Sequence, residues 1–490
     1  MPRYSLSKST TMLGRQCTKA LWLNRHRRWL RAKPTTAQQA VLDNGTNVGL
    51  LARERFPGGT DCDPDRLVNI PAMLQATQDA LSAGATVLYE AAFLHDEVLV
   101  LLDILVRGGD GWTAVEVKSS TTAKDQFVAD AALQHLVITT SGLPLQRVQL
   151  MLINNQYVRQ GPIDVQQLFG LEDVTAQALA MREGLMADIA RFKAVLAQPQ
   201  EPDKDIGPHC HAPYTCPFRD HCWAHVPTPS VFDLPRIGAE AYALEKSGVV
   251  RIQDVPPGTA LSAVQQRHVE AHRTGLPQID APAVRAFVDG LRYPLHHLDF
   301  ETIFPSVPLF DGTRPYQQVP FQYSLHVEDA PGAAPHHRAF LGDGQGDPRA
   351  AFVQQMLADI GPEGDILVYN SSFESGIIGA LAEAMPHHAA ALLALRTRIK
   401  DLLVPFRQGW YCHPAFGGSN SLKAVLPALV PTLSYASLAI QDGGAASDTF
   451  LRLLLRDPQL DPVTARQQLL DYCHLDTLAM VEVLAVLRGG

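Results

Sequence analysis

Three β-rich apolar runs crowd into residues 87–93, 95–106 and 112–117, with so little chain between them that they must lie side by side as neighbouring strands. Gly108, Gly109, Asp110 and Gly111 supply the turn between the last two. The pattern returns to helix over 127–137 and to strand over 147–154, while 17–30 and 67–83 also read as helix. A sheet flanked by helices follows, and a helical bundle is excluded.

That sheet carries a set of polar groups suited to hydrolysis. Asp103 is expected to end its strand, and Glu116 and Lys118 share one face of the next, because strand side chains repeat every two residues. Two carboxylates can hold a divalent ion against a phosphate; the ion can activate water, and Lys118 can position that water and offset negative charge. Cross-strand ion pairs use the same residue types, so Glu-x-Lys alone is a weak signal. The full set is sharper: Glu90 before the strand pair, Asp103, then Glu116-Val117-Lys118 after the hairpin, and Gln134 on the next helix.

At 490 residues, with 46% hydrophobic and 19% charged side chains, the chain exceeds one core and divides into two or three globular domains. Arg15, Lys19, Arg25 and Arg27 interrupt its opening, so neither a signal peptide nor a membrane span is expected there and a cytoplasmic location follows. In that compartment the seven cysteines read as thiols or metal ligands. The net charge of -9 excludes a protein coated in positive field. Residues 1–33 nevertheless hold Arg3, Lys8, Arg15, Lys19, Arg25, Arg27, Arg28, Arg31 and Lys33 without one acid, either a local track for nucleic acid or a solvated helix face.

Asp103, Glu116, Lys118 and Gln134 resemble the PD-(D/E)xK nuclease superfamily, in particular its Cas4/RecB-like branch, which bears an iron-sulfur cluster. The resemblance implies an α/β, PD-(D/E)xK nuclease-like mixed sheet with flanking helices, with Asp103 and Glu116 as ligands of catalytic Mg2+ or Mn2+ and Lys118 and Gln134 completing the site. Gly45-Thr46-Asn47-Val48-Gly49 is similar to the Gly-x-x-x-His segment of that branch, with Gly49 in place of the histidine. Ile138 likewise stands where a tyrosine usually follows the glutamine.

Cys210, Cys216 and Cys222 are spaced by five intervening residues each, too wide for the paired C-x2-C corners of a zinc knuckle. With Cys17 they would suit a [4Fe-4S] cluster, which takes soft thiolate ligands, and would tie the N-terminal helix to the end of the domain. His209, His211, His221 and His225 lie close by in sequence and leave zinc as one alternative, with no metal at all as the other. One remote N-terminal cysteine and three late ones is also the pattern of the Cas4-like branch, so the resemblance implies the cluster. Cys62, Cys412 and Cys473 scatter and are given no role.

Pro227, Pro229, Pro235 and Pro256-Pro257-Gly258 punctuate a bridging segment of short helices, 227–290, after a first domain spanning 1–226. A new α/β pattern fills 291–490, with strands read over 298–302, 319–327 and 366–369 and helices over 421–429 and 461–487. Asp299 and Glu301 leave one face of a strand, Glu374 opens a helix, and Asp476 lies one turn beyond Tyr472. Each acid alone could be a helix cap or a surface charge. Brought together, four acids repel unless cations lie between them, and a two-ion phosphodiester site is the coherent solution.

This stretch resembles the DEDD exonucleases of the ribonuclease H-like α/β fold: Asp299-Phe300-Glu301 is similar to their first motif, Asn370-x-x-Phe373-Glu374 to the second, and Tyr472-x-x-x-Asp476 to the third. Glu374 departs from the usual aspartate. The resemblance implies that Asp299, Glu301, Glu374 and Asp476 hold ions while Tyr472 orients the attacking water. Lys423, at a helix start after Gly417-Gly418, is a candidate phosphate contact, and Asp401 belongs either to this site or to the framework.

As a whole the chain resembles the DUF2779 family, with a Cas4/RecB-like module ahead of an exonuclease-like one. A metal-dependent nuclease acting on DNA is therefore expected, exonucleolytic at single-stranded or frayed ends, with phosphate contacts outweighing base reading and no membrane partner. A ribonuclease using the C-terminal site is the alternative enzyme. A nucleic-acid-binding scaffold with a decayed site is the third reading, motivated by Gly49 and Glu374.

Overall fold

The computed structural model describes residues 4–489, so Arg3 lies outside the described residues. The fold is α/β, with mixed sheets and flanking helices in two compact units: Met1–Ala224 with Pro305–Tyr316, and His225–Phe304 with Gln317–Gly490.

The first unit is built on seven strands: β1 (Leu6–Ser7), β2 (Thr60–Asp61), β3 (Val87–His95), β4 (Val98–Gly108), β5 (Gly111–Lys118), β6 (Leu145–Ile153) and β7 (Phe169–Asp173). They run in the order β2-β3-β4-β5-β6-β7, with β1 attached to β4. Strands β3, β4 and β5 form an antiparallel meander, and β5 passes to parallel β6 through the helix Asp125–Thr140. That helix is buried from Ala129 to Ile138 and sets Leu133, Leu136 and Val137 in one core with Leu102, Ala114 and Leu150.

Asp103 does not end its strand, contrary to expectation; β4 continues to Gly108. The pairing of β4 with β5 begins only at Ile104 opposite Val115. Below that point the same edge of β4 takes β1 instead, Leu6 opposite Val98 and Ser7 opposite Leu99. Asp103 therefore sits in a fork between two partner strands, and its Oδ2 accepts the Val117 N–H at 2.7 Å in place of a ladder bond.

In the second unit a two-residue β8 (Gln278–Ile279) precedes the main sheet of β9 (Leu295–Ile303), β10 (Val319–Glu328), β11 (His336–Leu341), β12 (Ile366–Val368) and β13 (Ile399–Asp401); β14 (Tyr411–Cys412) pairs with β8. The main sheet runs β11-β10-β9-β12-β13, antiparallel across the first three strands and parallel from β9 to β13. One face carries Leu298, Phe300, Tyr323 and Leu325, packed against Phe352 of the helix Arg349–Ile360. The opposite face presents Asp299, Glu301, Gln322, Ser324 and His326 to the terminal helix Pro462–Gly489, where the Gln322 amide donates to the Leu469 carbonyl at 2.8 Å.

Residues 227–290 carry the helices Ala239–Lys246, Ala263–Thr274 and Ala281–Asp289, and Val231, Leu234, Leu244, Ile252 and Val269 form a small core among them. Among the described residues no single helix is long and apolar enough to cross a membrane.

Phe352 is fully buried, with edge-to-face contacts at 5.3 Å to both Phe300 and Tyr323 beneath the strands that carry the acids. Phe352→Ala should cost about 3–5 kcal/mol in urea unfolding, the range for an emptied aromatic site. A change within about 0.5 kcal/mol, typical of surface positions, contradicts this packing.

Candidate functional site

The fork in the first unit gathers Asp103, Glu116, Lys118 and Gln134. Glu116 is buried; its Oε1 accepts from Lys118 Nζ at 2.7 Å and its Oε2 from Gln134 Nε2 at 2.7 Å. A second lysine is present that the sequence did not signal. Lys8 follows β1 directly, and its Nζ lies 2.7 Å from the same Glu116 Oε1 and 3.8 Å from Asp130, which also accepts from Lys118 at 2.6 Å. The short β1 strand thus delivers a cation into the site.

These charges order the titration. Burial disfavours the Glu116 carboxylate, but Lys118 and Lys8 outweigh it and hold the group well below the usual range. Asp103 goes the other way: removal from water and the Glu116 charge push it up to about 8. Glu90, beside Asp103 in the strand pair, is taken by Arg53 at 2.8 Å. Gly49 lies on the helix Thr36–Ala52 with open space where a side chain would project.

The four cysteines of the proposed cluster also converge. Cys17 is the hinge residue between the helices Lys8–Gln16 and Thr18–His26, and the Gln16 amide reaches the His209 and Tyr214 carbonyls at 2.7 Å each. All four are free thiols. Burial pushes the Cys216 thiol up to about 11, and the charges of Cys17, Cys210 and Cys222 act on it in the same direction. As neutral thiols they need no cation; as thiolates they would require one, and soft sulfur donors are the kind an iron-sulfur cluster takes. Three of the neighbouring histidines are engaged elsewhere: His221 with Glu201 at 3.1 Å, His225 with Glu245 at 2.9 Å, and His211 edge-on to Trp223 at 5.2 Å. His209 Nε2 lies 3.8 Å from Cys210 Sγ.

In the second unit Asp299 and Glu301 leave β9 toward the terminal helix, which supplies Tyr472, Cys473 and Asp476, while Glu374 is the third residue of the helix Ser372–Ala384. Burial and the mutual charge of these acids raise Asp299 well above the carboxylate range and push Glu301 up to about 8. Burial takes Glu374 to about 8, and its Oε2 is buried with no partner. Asp476 rises to about 6, burial being partly offset by Tyr435, whose hydroxyl donates to Oδ1 at 2.6 Å. Lys423 Nζ donates to the Tyr472 oxygen at 3.2 Å and lies 5.3–5.4 Å above the rings of Tyr472 and Tyr435.

Cys473, given no role from sequence, donates to Asp299 Oδ2 at 3.8 Å and joins Asp299 and Glu301 in a group whose ligand atoms lie within 4.8 Å, close enough to hold a metal ion. Its position beside Tyr472 was the available signal. Tyr435 had none, since it sits in the 3-10 turn Tyr435–Ser437, remote in sequence from every motif. His326, His337 and His474 form a second group of the same dimensions. Asp401 ends β13 and accepts the N–H groups of Asn370 and Leu403 at 3.0 Å each, so it fixes the chain leading into the Glu374 helix.

Half of the described basic opening is consumed by internal pairs: Arg15 with Asp188 at 3.4 Å, Lys19 and Arg27 with Glu201 at 3.0 and 3.1 Å, and Lys8 as above. Arg25, Arg28, Arg31 and Lys33 are exposed around Trp29, which is itself 77% exposed.

A raised carboxyl pKa means that the folded protein keeps a proton the unfolded chain has lost, so its contribution to stability falls as pH rises. For Glu301 that window runs from 4.5 to about 8. Metal-free Glu301→Gln should therefore lose less of its melting temperature than the parent protein across the window, in thermal scans at constant ionic strength. Parallel curves for the two proteins contradict the assignment.

A search of curated proteins gives no match to the chain. A family model does match residues 296–421, that of DUF2779, described as a domain of unknown function. The match spans Asp299, Glu301 and Glu374 and ends before Tyr472 and Asp476. The DUF2779 likeness thus covers about a quarter of the chain, the part that carries Asp299, Glu301 and Glu374.

Proposed function

We propose that the chain is a metal-dependent nuclease hydrolysing phosphodiester bonds of DNA, and that the carboxylates of the second unit do the cutting. An asymmetry between the two acid sites carries this reading. Glu116 is already held by two lysines and a glutamine. Asp299, Glu301, Glu374 and Asp476 are gathered with less compensation, Lys423 acting on Glu301 and Asp476 and Tyr435 on Asp476, and the orphaned Oε2 of Glu374 fits a ligand awaiting a cation.

Asp299, Glu301, Glu374 and Asp476 would hold Mg2+ or Mn2+, which supplies an activated water and neutralises charge building on the phosphate. The surrounding groups divide the other tasks. Burial and the neighbouring acids keep Tyr472 protonated, so its O–H can orient a water. Lys423 offers its charge to a phosphate oxygen, and Tyr435 fixes the Asp476 carboxylate.

In the first unit Cys17, Cys210, Cys216 and Cys222 would hold a [4Fe-4S] cluster, a cross-link between the N-terminal helices and the end of the unit. Exposed Trp29 amid Arg25, Arg28, Arg31 and Lys33 offers a stacking surface and phosphate contacts suited to a single-stranded end. Lysine saturation of Glu116, with glycine at position 49, favours a role for this unit in holding substrate. Lys8 and Lys118 depend on Glu116, so Asp103→Asn is the gentler probe of the site; Glu116→Gln should destabilise the protein by about 3–5 kcal/mol.

End-labelled single-stranded DNA, frayed duplex and RNA incubated with Mn2+ or Mg2+ test the proposal. DNA should shorten from an end, and Asp299→Asn should abolish the reaction. Cleavage that survives Asp299→Asn but not Asp103→Asn would move the chemistry to the first unit, RNA-only cleavage would favour the ribonuclease, and inertness toward both substrates refutes the enzyme. Protein purified without oxygen should be brown, with labile iron and sulfide that Cys216→Ser loses; stoichiometric zinc without iron rejects the cluster.

A further inference from the structure

A group of three histidines lies on the same sheet face as the acids of the second unit and is used by none of the chemistry above. His326 on β10 stands directly opposite His337 on β11, and His474 comes from the terminal helix. The ring centroids are separated by 4.6 Å for His326 and His337, 4.8 Å for His326 and His474, and 4.4 Å for His337 and His474. One ring nitrogen from each falls within 4.8 Å of the others. We propose that His326, His337 and His474 form a three-imidazole site for Zn2+, with the fourth position left to solvent on the side of exposed His337.

The hydrogen bonds behind the rings carry the inference further. His326 Nδ1 lies 2.8 Å from Thr477 Oγ1, His337 Nε2 lies 2.9 Å from Ser324 Oγ, and the two hydroxyls are 2.6 Å apart. Thr477 Oγ1 in turn donates to the His474 carbonyl at 3.2 Å. One direction of donation satisfies the whole chain. His337 Nε2–H donates to Ser324, Ser324 and His326 Nδ1–H donate to Thr477, and Thr477 donates to the carbonyl. Both imidazoles then carry their lone pairs on the opposite nitrogens, His326 Nε2 and His337 Nδ1, as metal ligation requires. This is the outer shell that fixes tautomer and ring orientation at zinc sites.

The donor chemistry separates this site from its neighbour. Imidazoles suit zinc and related transition ions, whereas the carboxylates of Asp299, Glu301, Glu374 and Asp476 suit magnesium or manganese. An ion here would clasp the β10–β11 hairpin to the terminal helix, one residue from Cys473 and two from Tyr472 and Asp476.

Titration of the full chain with Zn2+ against a chromophoric chelator, its cysteine cluster intact, tests the site. One high-affinity equivalent is expected that Asp299→Asn retains and that His337→Ala and His474→Ala each lose. Thr477→Val, which removes the hydroxyl at nearly constant volume, should weaken that equivalent roughly 10–100-fold. Co2+ at the site should give visible ligand-field absorption that His337→Ala abolishes. His337 is exposed, so its replacement leaves the fold intact, which far-UV circular dichroism verifies. Equal Zn2+ stoichiometry and affinity in the parent protein and both alanine variants would overturn the proposal. That outcome leaves the carboxylate site untouched, because Asp299→Asn and His337→Ala report on separate ligand sets.

Discussion

Carboxylates removed from water repel one another, and the second unit is organised around a place where this repulsion is tolerated. Asp299 and Glu301 leave β9 on one face because a strand repeats every two residues, and the terminal helix lays Asp476 over them. Hydrophobic packing on the opposite face, centred on Phe300, Tyr323 and Phe352, holds the strands rigid enough for the acids to stay together. The raised pKa values of Glu301 and Glu374 register the cost of that arrangement without ions.

The first unit handles a similar set of residues differently. Its fork between β1 and β5 along one edge of β4 admits Lys8, which with Lys118 neutralises Glu116. Glu116, balanced by its own neighbours, has less need of a metal ion than the acids of the second unit, although Asp103 beside it is raised to about 8. The two acid clusters, similar by motif, thus differ in their electrostatics, and that difference assigns the proposed cutting to the second.

Local pattern made much of this legible. The meander from β3 to β5, the helix carrying Gln134 and the spacing of Tyr472 and Asp476 on one helix are all written in near-neighbour periodicity. Asp103 was misplaced at a strand end although the apolar run continues through Ile104, Leu105 and Val106, which pair with the next strand and carry β4 on to Gly108. Strand β11 escaped because it is polar and half exposed, whereas β13 lies where a further strand carrying Asp401 was considered. Lys8, Tyr435 and the histidine group are contacts between segments far apart in the chain, whose proximity follows from register and helix docking.

The carboxylates of the second unit, and not the lysine-held Glu116 site of the first, are proposed to bind the catalytic ions. Anomalous diffraction from crystals of the full chain soaked in Mn2+ tests it most directly. Manganese peaks should appear among Asp299, Glu301, Glu374 and Asp476. A manganese peak between Asp103 and Glu116, with none among those four acids, would contradict the account.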